Sequence, residues 1–160
     1  MKVYEGMSTE RLKEEMESSE KVLQGLKTAK FAVGVVSVGI AGALIMQGYL
    51  MNLLAQDQYT WLAGVAGVIV GILLMISGVI MIVTRNSERK VGEVSVVILE
   101  GLAMYLCKAW CAAYSDLGLW SNWLLVCVLF VIVSLVVRNQ YSRLEVIYNG
   151  RVSEGRSFQS

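Results

Sequence analysis

The sequence predicts an all-α polytopic membrane protein: four transmembrane helices, both termini cytoplasmic, a cytoplasmic juxtamembrane helix before the first span and a short β-hairpin in the tail. Three observations carry that reading. Apolar residues make up 56% of the chain and gather in four continuous blocks. Each block has the roughly 20 residues needed to cross about 30 Å of hydrocarbon at 1.5 Å per residue. All of the 14 Lys and Arg residues except Lys108 fall in three polar segments: before the first block, between the second and third, and after the fourth.

The first 30 residues are mostly polar, and Thr9 to Lys30 reads as a helix. Thr9 is an acceptable N-cap, with Glu10 in the first turn where the helix dipole favours an acid. Arg11/Glu15, Lys13/Glu17 and Glu17/Lys21 are opposite charges at helical neighbour spacing. Leu12, Met16, Ser19, Leu23 and Leu26 recur at alternating steps of four and three, a seam of coiled-coil type. One reading is a solvated extension of the first span. The other is a docking face, formed by Leu12, Met16, Leu23 and Leu26, for a second copy or a cytosolic protein. Six acids balance six bases here, which disfavours a polybasic lipid-binding segment.

The blocks follow as Phe31 to Ala55, Thr60 to Thr84, Gly92 to Tyr114 and Leu117 to Val137. Their continuity excludes spanning strands, since strands of a barrel alternate and open sheets leave backbone unsatisfied in lipid. A cleaved signal peptide fits poorly, because a long polar stretch precedes a block longer than a signal core. The organisation is thus 1–30 cytoplasmic helix, 31–138 transmembrane domain and 139–160 cytoplasmic tail. The turns Gln56 to Tyr59 and Ser115 to Asp116 contain no basic residue, so the positive-inside bias places both termini in the cytoplasm. Trp61, Trp110, Trp120 and Trp123 then fall in the outer halves of their spans, the level of an aromatic belt. Outer turns this short exclude an ectodomain, and the expected location is the inner, cytoplasmic membrane.

The second block carries Ala63, Gly67 and Gly71 at four-residue steps, and the first carries Gly39 and Ala43. Small residues at this spacing let helix backbones approach in lipid, within one chain or between copies. In the tail, RLEVIYNGRVS over Arg143 to Ser153 sets two β-prone runs around Asn149-Gly150, a strong hairpin signal.

Motifs for chemistry are scarce. The absence of histidine removes the commonest general base and metal ligand, along with every Ser-His or Cys-His pair. Cys107, Cys111 and Cys127 lack the spacing of a redox motif and read as small packing groups. No catalytic, metal or cofactor site is expected, nor direct nucleic-acid binding. Glu100 and Lys108 are the candidate functional residues, because ionisable groups inside a span mark proton or ion paths. Glu100 lies near the midplane, where a carboxylate must be either paired or protonated. Lys108, eight residues on, can snorkel outward and cannot reach Glu100 along the same helix. Glu100, Met104, Cys107 and Cys111 form one stripe that should face protein.

The expected function is a non-enzymatic, oligomeric membrane anchor or sensor that docks a cytosolic partner. Small proteins of this kind serve bacterial defence and immunity systems, an analogy at the level of architecture alone. The alternative is a small oligomeric channel or proton-coupled transporter using Glu100 and Lys108. A membrane enzyme has the least support.

Overall fold

The computed structural model describes residues 8–87, 90–110 and 116–157. Every element among them is helical: α1 (Thr9–Leu54), α2 (Gln58–Val83), α3 (Val91–Trp110) and α4 (Asp116–Ser157), with a single 3-10 turn at Thr84–Asn86 after α2. Cys111 and Ser115 lie outside the described residues. By length and composition three helices can cross a membrane: α1, α2 with its 3-10 turn, and α4. α3 has only 20 residues and carries Glu93, Glu100 and Lys108, more charge than an apolar span normally tolerates.

The helix ends follow local chemistry. Asp57 caps α2, its carboxylate accepting from the Thr60 backbone N–H at 2.8 Å and from the Thr60 hydroxyl at 2.7 Å. At the other end of α2, the Thr84 hydroxyl donates to the Ile80 carbonyl at 2.6 Å. α1 and α4 have 46 and 42 residues, about twice what a span needs.

The chain divides into two compact units. The first joins the start of α1, up to Leu26, with the end of α4, from Val133. Its buried side chains include Leu12 and Leu144. The seam anticipated for α1 is its inner face: Leu12 is buried and Met16, Ser19, Leu23 and Leu26 are half-buried, while the intervening charged residues are exposed. On α4 the matching face is Tyr141, Leu144, Tyr148 and Val152, again at helical steps.

The tail hairpin does not form. Arg143 to Ser153 continue α4 as helix, and neither Asn149 nor Gly150 has the positive φ that a type I′ turn needs. An isolated hairpin is marginal in water. The helix instead buries Leu144, a gain that outweighs the roughly 1 kcal/mol helix penalty of Gly150.

The second unit, Lys27–Ile132, holds the remainder of α1 and α4 with all of α2 and α3. Its core comprises Ala41, Leu44, Ala63, Val70, Leu74, Ala103, Cys107 and Leu124. α1 and α2 run antiparallel in backbone contact along a heptad of small residues. A methyl built on Gly34 would lie 2.9 Å from the Gly78 carbonyl oxygen, one on Gly71 3.1 Å from that of Ala41, and one on Gly48 2.6 Å from that of Gly64. The contacts recur every seven residues on both helices, the repeat of left-handed antiparallel packing.

Ala63, Gly67 and Gly71 are buried within the chain. Gly39 and Ala43 are not part of this face; both are exposed, and nothing lies within 4 Å of a methyl built on Gly39. At 100° per residue they sit about 160° around the helix from Ala41. The four-residue step singled out small residues, but the seven-residue step is the one that selects the packed face.

Candidate functional site

Six polar residues inside the second unit fall in two layers one heptad apart. Lys30 on α1, Thr84 at the end of α2 and Glu93 on α3 form the first. Moving seven residues inward on each helix gives Ser37, Ser77 and Glu100, the second. One heptad is about 10.5 Å of helix.

In the first layer the Lys30 ammonium meets Glu93 Oε1 at 3.1 Å and donates to the Thr84 carbonyl oxygen at 3.5 Å. Both side chains of the ion pair are 4% exposed. Each charge also stands at the helix end that favours it: Glu93 in the first turn of α3, and Lys30 at the carbonyl terminus of α2. Beside the pair, the Arg85 guanidinium stacks on the Phe31 ring, 4.8 Å from its centroid.

In the second layer Glu100 is fully buried. The Ser77 hydroxyl lies 3.2 Å from Glu100 Oε1 and 3.0 Å from the Leu74 carbonyl oxygen. One hydroxyl has one proton and cannot fill both contacts. Both become hydrogen bonds when Glu100 is a carboxylic acid that donates to Ser77 Oγ, which then donates to Leu74. Glu100 Oε2 has no hydrogen-bond partner among the described residues. A carboxyl C=O without a donor is tolerable in a core, whereas a carboxylate oxygen there is costly.

The rest of the layer comes from α1 and α4. Ser37 Oγ is 3.7 Å from Cys127 Sγ and accepts from the Trp123 indole N–H at 3.3 Å. Cys127 also lies within electrostatic reach of Glu100. All four helices therefore contribute a polar side chain at one level, and none of these side chains is a cation. Lys30, the cation of the first layer, is engaged by Glu93.

The candidates from the sequence separate accordingly. Glu100 faces the interior with Cys107, and Met104 is half-buried beside them, so the described part of the α3 stripe faces protein. Lys108 is exposed in the last turn of α3 and does not join Glu100. Of the residues assigned to docking, Leu12 is buried and Met16, Leu23 and Leu26 are half-buried inside the first unit. In the sequence Lys30 stands only as a charge before the first block, Trp123 as a belt residue and Cys127 as a packing group, and Ser37, Ser77 and Glu93 are not singled out. The signal was present in the α3 pattern Glu93, Val96, Glu100, Ala103, Cys107, a run of steps three and four with its acids one heptad apart.

No metal-binding cluster of His, Cys, Asp or Glu occurs among the described residues. Comparisons of this chain with protein-family models, with curated proteins and with solved structures find no match.

Proposed function

We propose that the protein is a non-enzymatic, multi-pass membrane anchor that presents a paired-helix unit to the cytoplasm for a partner protein to dock on. The observation that carries this reading is the composition of the first unit, built from both the start of α1 and the end of α4. Two segments packed together occupy the same side of a bilayer, so the crossings between them are even in number. α1, α2 and α4 are long and apolar enough to supply three, and the fourth falls to α3.

Burial makes that crossing affordable for α3. Glu93 is paired with Lys30, and Glu100 sits inside the bundle against Ser77 rather than in lipid. The positive-inside bias places the shared side in the cytoplasm. The seam of Leu12, Met16, Leu23 and Leu26 holds the first unit together, leaving its outer faces to the partner. Those faces mix exposed Glu14, Glu17 and Lys21 with exposed Val22 and Val146. Exposed Gly39 and Ala43 on α1 provide a close-approach face for a second copy, and a homo-oligomer belongs to this reading. A place in a bacterial defence system is the biological setting that such an anchor suits.

Photo-crosslinking from Val22 and Val146 in native membranes tests the docking. A cytosolic protein captured from both positions, and lost from the Val22 probe when Val146→Glu is introduced, is the expected result. Crosslinks to lipid or to the protein itself alone would refute it.

A second reading, a proton-coupled transporter or channel, is favoured by one observation: Glu100 Oε2 is buried without a partner among the described residues. In that case Glu100 carries the proton, and proton flux into liposomes disappears in Glu100→Gln while the fold survives. Flux unaffected by Glu100→Gln, or no flux in wild type, excludes this reading.

A further inference from the structure

A lipid site emerges from residues that are far apart in sequence. The bonds of Lys30 to Glu93 and to the Thr84 carbonyl pin α1 against the end of α2. The next residue on each side, Phe31 and Arg85, then meet in the 4.8 Å guanidinium–ring stack. Lys27 lies four residues before Phe31 and Val35 four after it, so the three share one face of α1. Lys27, Phe31, Val35 and Arg85 are all exposed. The buried cation of this corner, Lys30, is neutralised by Glu93, whereas no acid among the described residues pairs with Lys27 or Arg85. Stacking uses the face of the guanidinium and leaves its in-plane N–H donors free, the geometry that grips a phosphate.

Resting on the membrane reading above, we propose that Lys27, Phe31 and Arg85 form a binding site for the phosphate headgroup of an anionic phospholipid in the cytoplasmic leaflet, with Val35 receiving the acyl chain. Along this face of α1 the order is cation, aromatic ring, aliphatic side chain, which follows the lipid from headgroup to hydrocarbon. The charge balance of residues 1–30 conceals the site in the sequence, because its second cation comes from the end of α2. Arg85 is held at the boundary of the apolar block by the stack, so it contributes at a fixed depth.

The test is a lipid titration of the full chain in detergent, read by native mass spectrometry. Phosphatidylglycerol and phosphatidylcholine of equal chain length are the probes. Phosphatidylglycerol should bind with a saturable first site that phosphatidylcholine lacks. Each cation near a membrane surface changes affinity about fivefold, so Lys27→Gln or Arg85→Gln should weaken that site about fivefold and the double variant about 25-fold. Arg85→Lys, which loses the stack and the fork, should weaken it measurably, and Lys21→Gln in the first unit should leave it unchanged. Millimolar inorganic phosphate should not displace the lipid, since it lacks the acyl contact; full displacement would overturn the lipid assignment. Equal binding of the two lipids, or a double variant that binds like wild type, would overturn the site while the membrane reading stands. A protein that elutes as a soluble species without detergent would remove both.

Discussion

Adding one methyl at Gly48 should disrupt the helix bundle. A Cβ there would lie 2.6 Å from the Gly64 carbonyl oxygen and 2.9 Å from the Val68 backbone nitrogen. Ordinary contacts of this kind fall near 3.4–4 Å, so α1 and α2 must separate by close to 1 Å at that level. Both obstacles are backbone and cannot swing aside. Overpacking of this kind costs about 1–3 kcal/mol. Separation at Gly48 also loosens the next heptad, where a methyl on Gly71 would meet the Ala41 carbonyl.

For a chain of this size about 2–4 °C of Tm accompanies each kcal/mol, which gives a fall of roughly 2–12 °C for Gly48→Ala. Two controls use the same chemistry on other faces. A methyl on Gly67 meets its nearest neighbour, Gly48 Cα, at 3.6 Å, and one on Gly39 meets nothing within 4 Å. Gly67→Ala should melt near wild type. Gly39→Ala should melt at or above it, since alanine is favoured over glycine in a helix by up to about 1 kcal/mol. The assay is thermal unfolding in detergent followed by circular dichroism. Equal Tm values for Gly48→Ala and Gly39→Ala would refute the heptad contact.

Other outcomes follow from the polar layers and the α2 cap. Lys30→Met alone should cost about 3–5 kcal/mol by leaving Glu93 buried beside an apolar group, and Lys30→Met with Glu93→Leu should recover most of that in the same melting assay. Glu100→Gln can donate to Ser77 as a carboxylic acid would, so its stability should lie within about 1 kcal/mol of wild type, and that of Glu100→Leu, which strands the Ser77 contact, should fall further. Asp57 is exposed, and its carboxyl is held below the ordinary value of 3.8 chiefly by the Thr60 backbone N–H. Its cap contribution is therefore complete above that value and fades as pH falls through the lower folded-state value. Asp57→Asn should retain much of the cap while flattening that acid limb of the Tm–pH curve.

The sequence made the helices and the α1 seam legible because both are periodic. Leu12, Met16, Ser19, Leu23 and Leu26 could be identified as one face without knowledge of what covers it. The covering element was hidden, since Asn149-Gly150 is a strong local turn signal that only the packing of Leu144 and its neighbours overrides. Gly39 and Ala43 illustrate a second limit: small residues reveal a capacity for close approach but not its direction. Glu100 stood out by its depth in the third block. Ser77 and Ser37 did not, because a lone serine in an apolar run is common, and only the alignment of three helices by heptads brings the pair to the level of Glu100. Lys30 and Glu93 are charges at the ends of the first and third blocks, and their pairing depends on how the helices pack.

The central claim is that α3 crosses the bilayer, so that the first unit assembles from two segments on one side. Substituted-cysteine labelling with a membrane-impermeant maleimide, in intact cells and in inverted vesicles, reads this directly when a Cys107→Ser, Cys111→Ser, Cys127→Ser background carries one new cysteine at Ser18, Gln58 or Ser153. The expected pattern is labelling of Ser18→Cys and Ser153→Cys in inverted vesicles only, and of Gln58→Cys in intact cells only. Labelling of Ser153→Cys from outside intact cells, with Ser18→Cys still protected, would mean that α3 does not cross and would contradict the account.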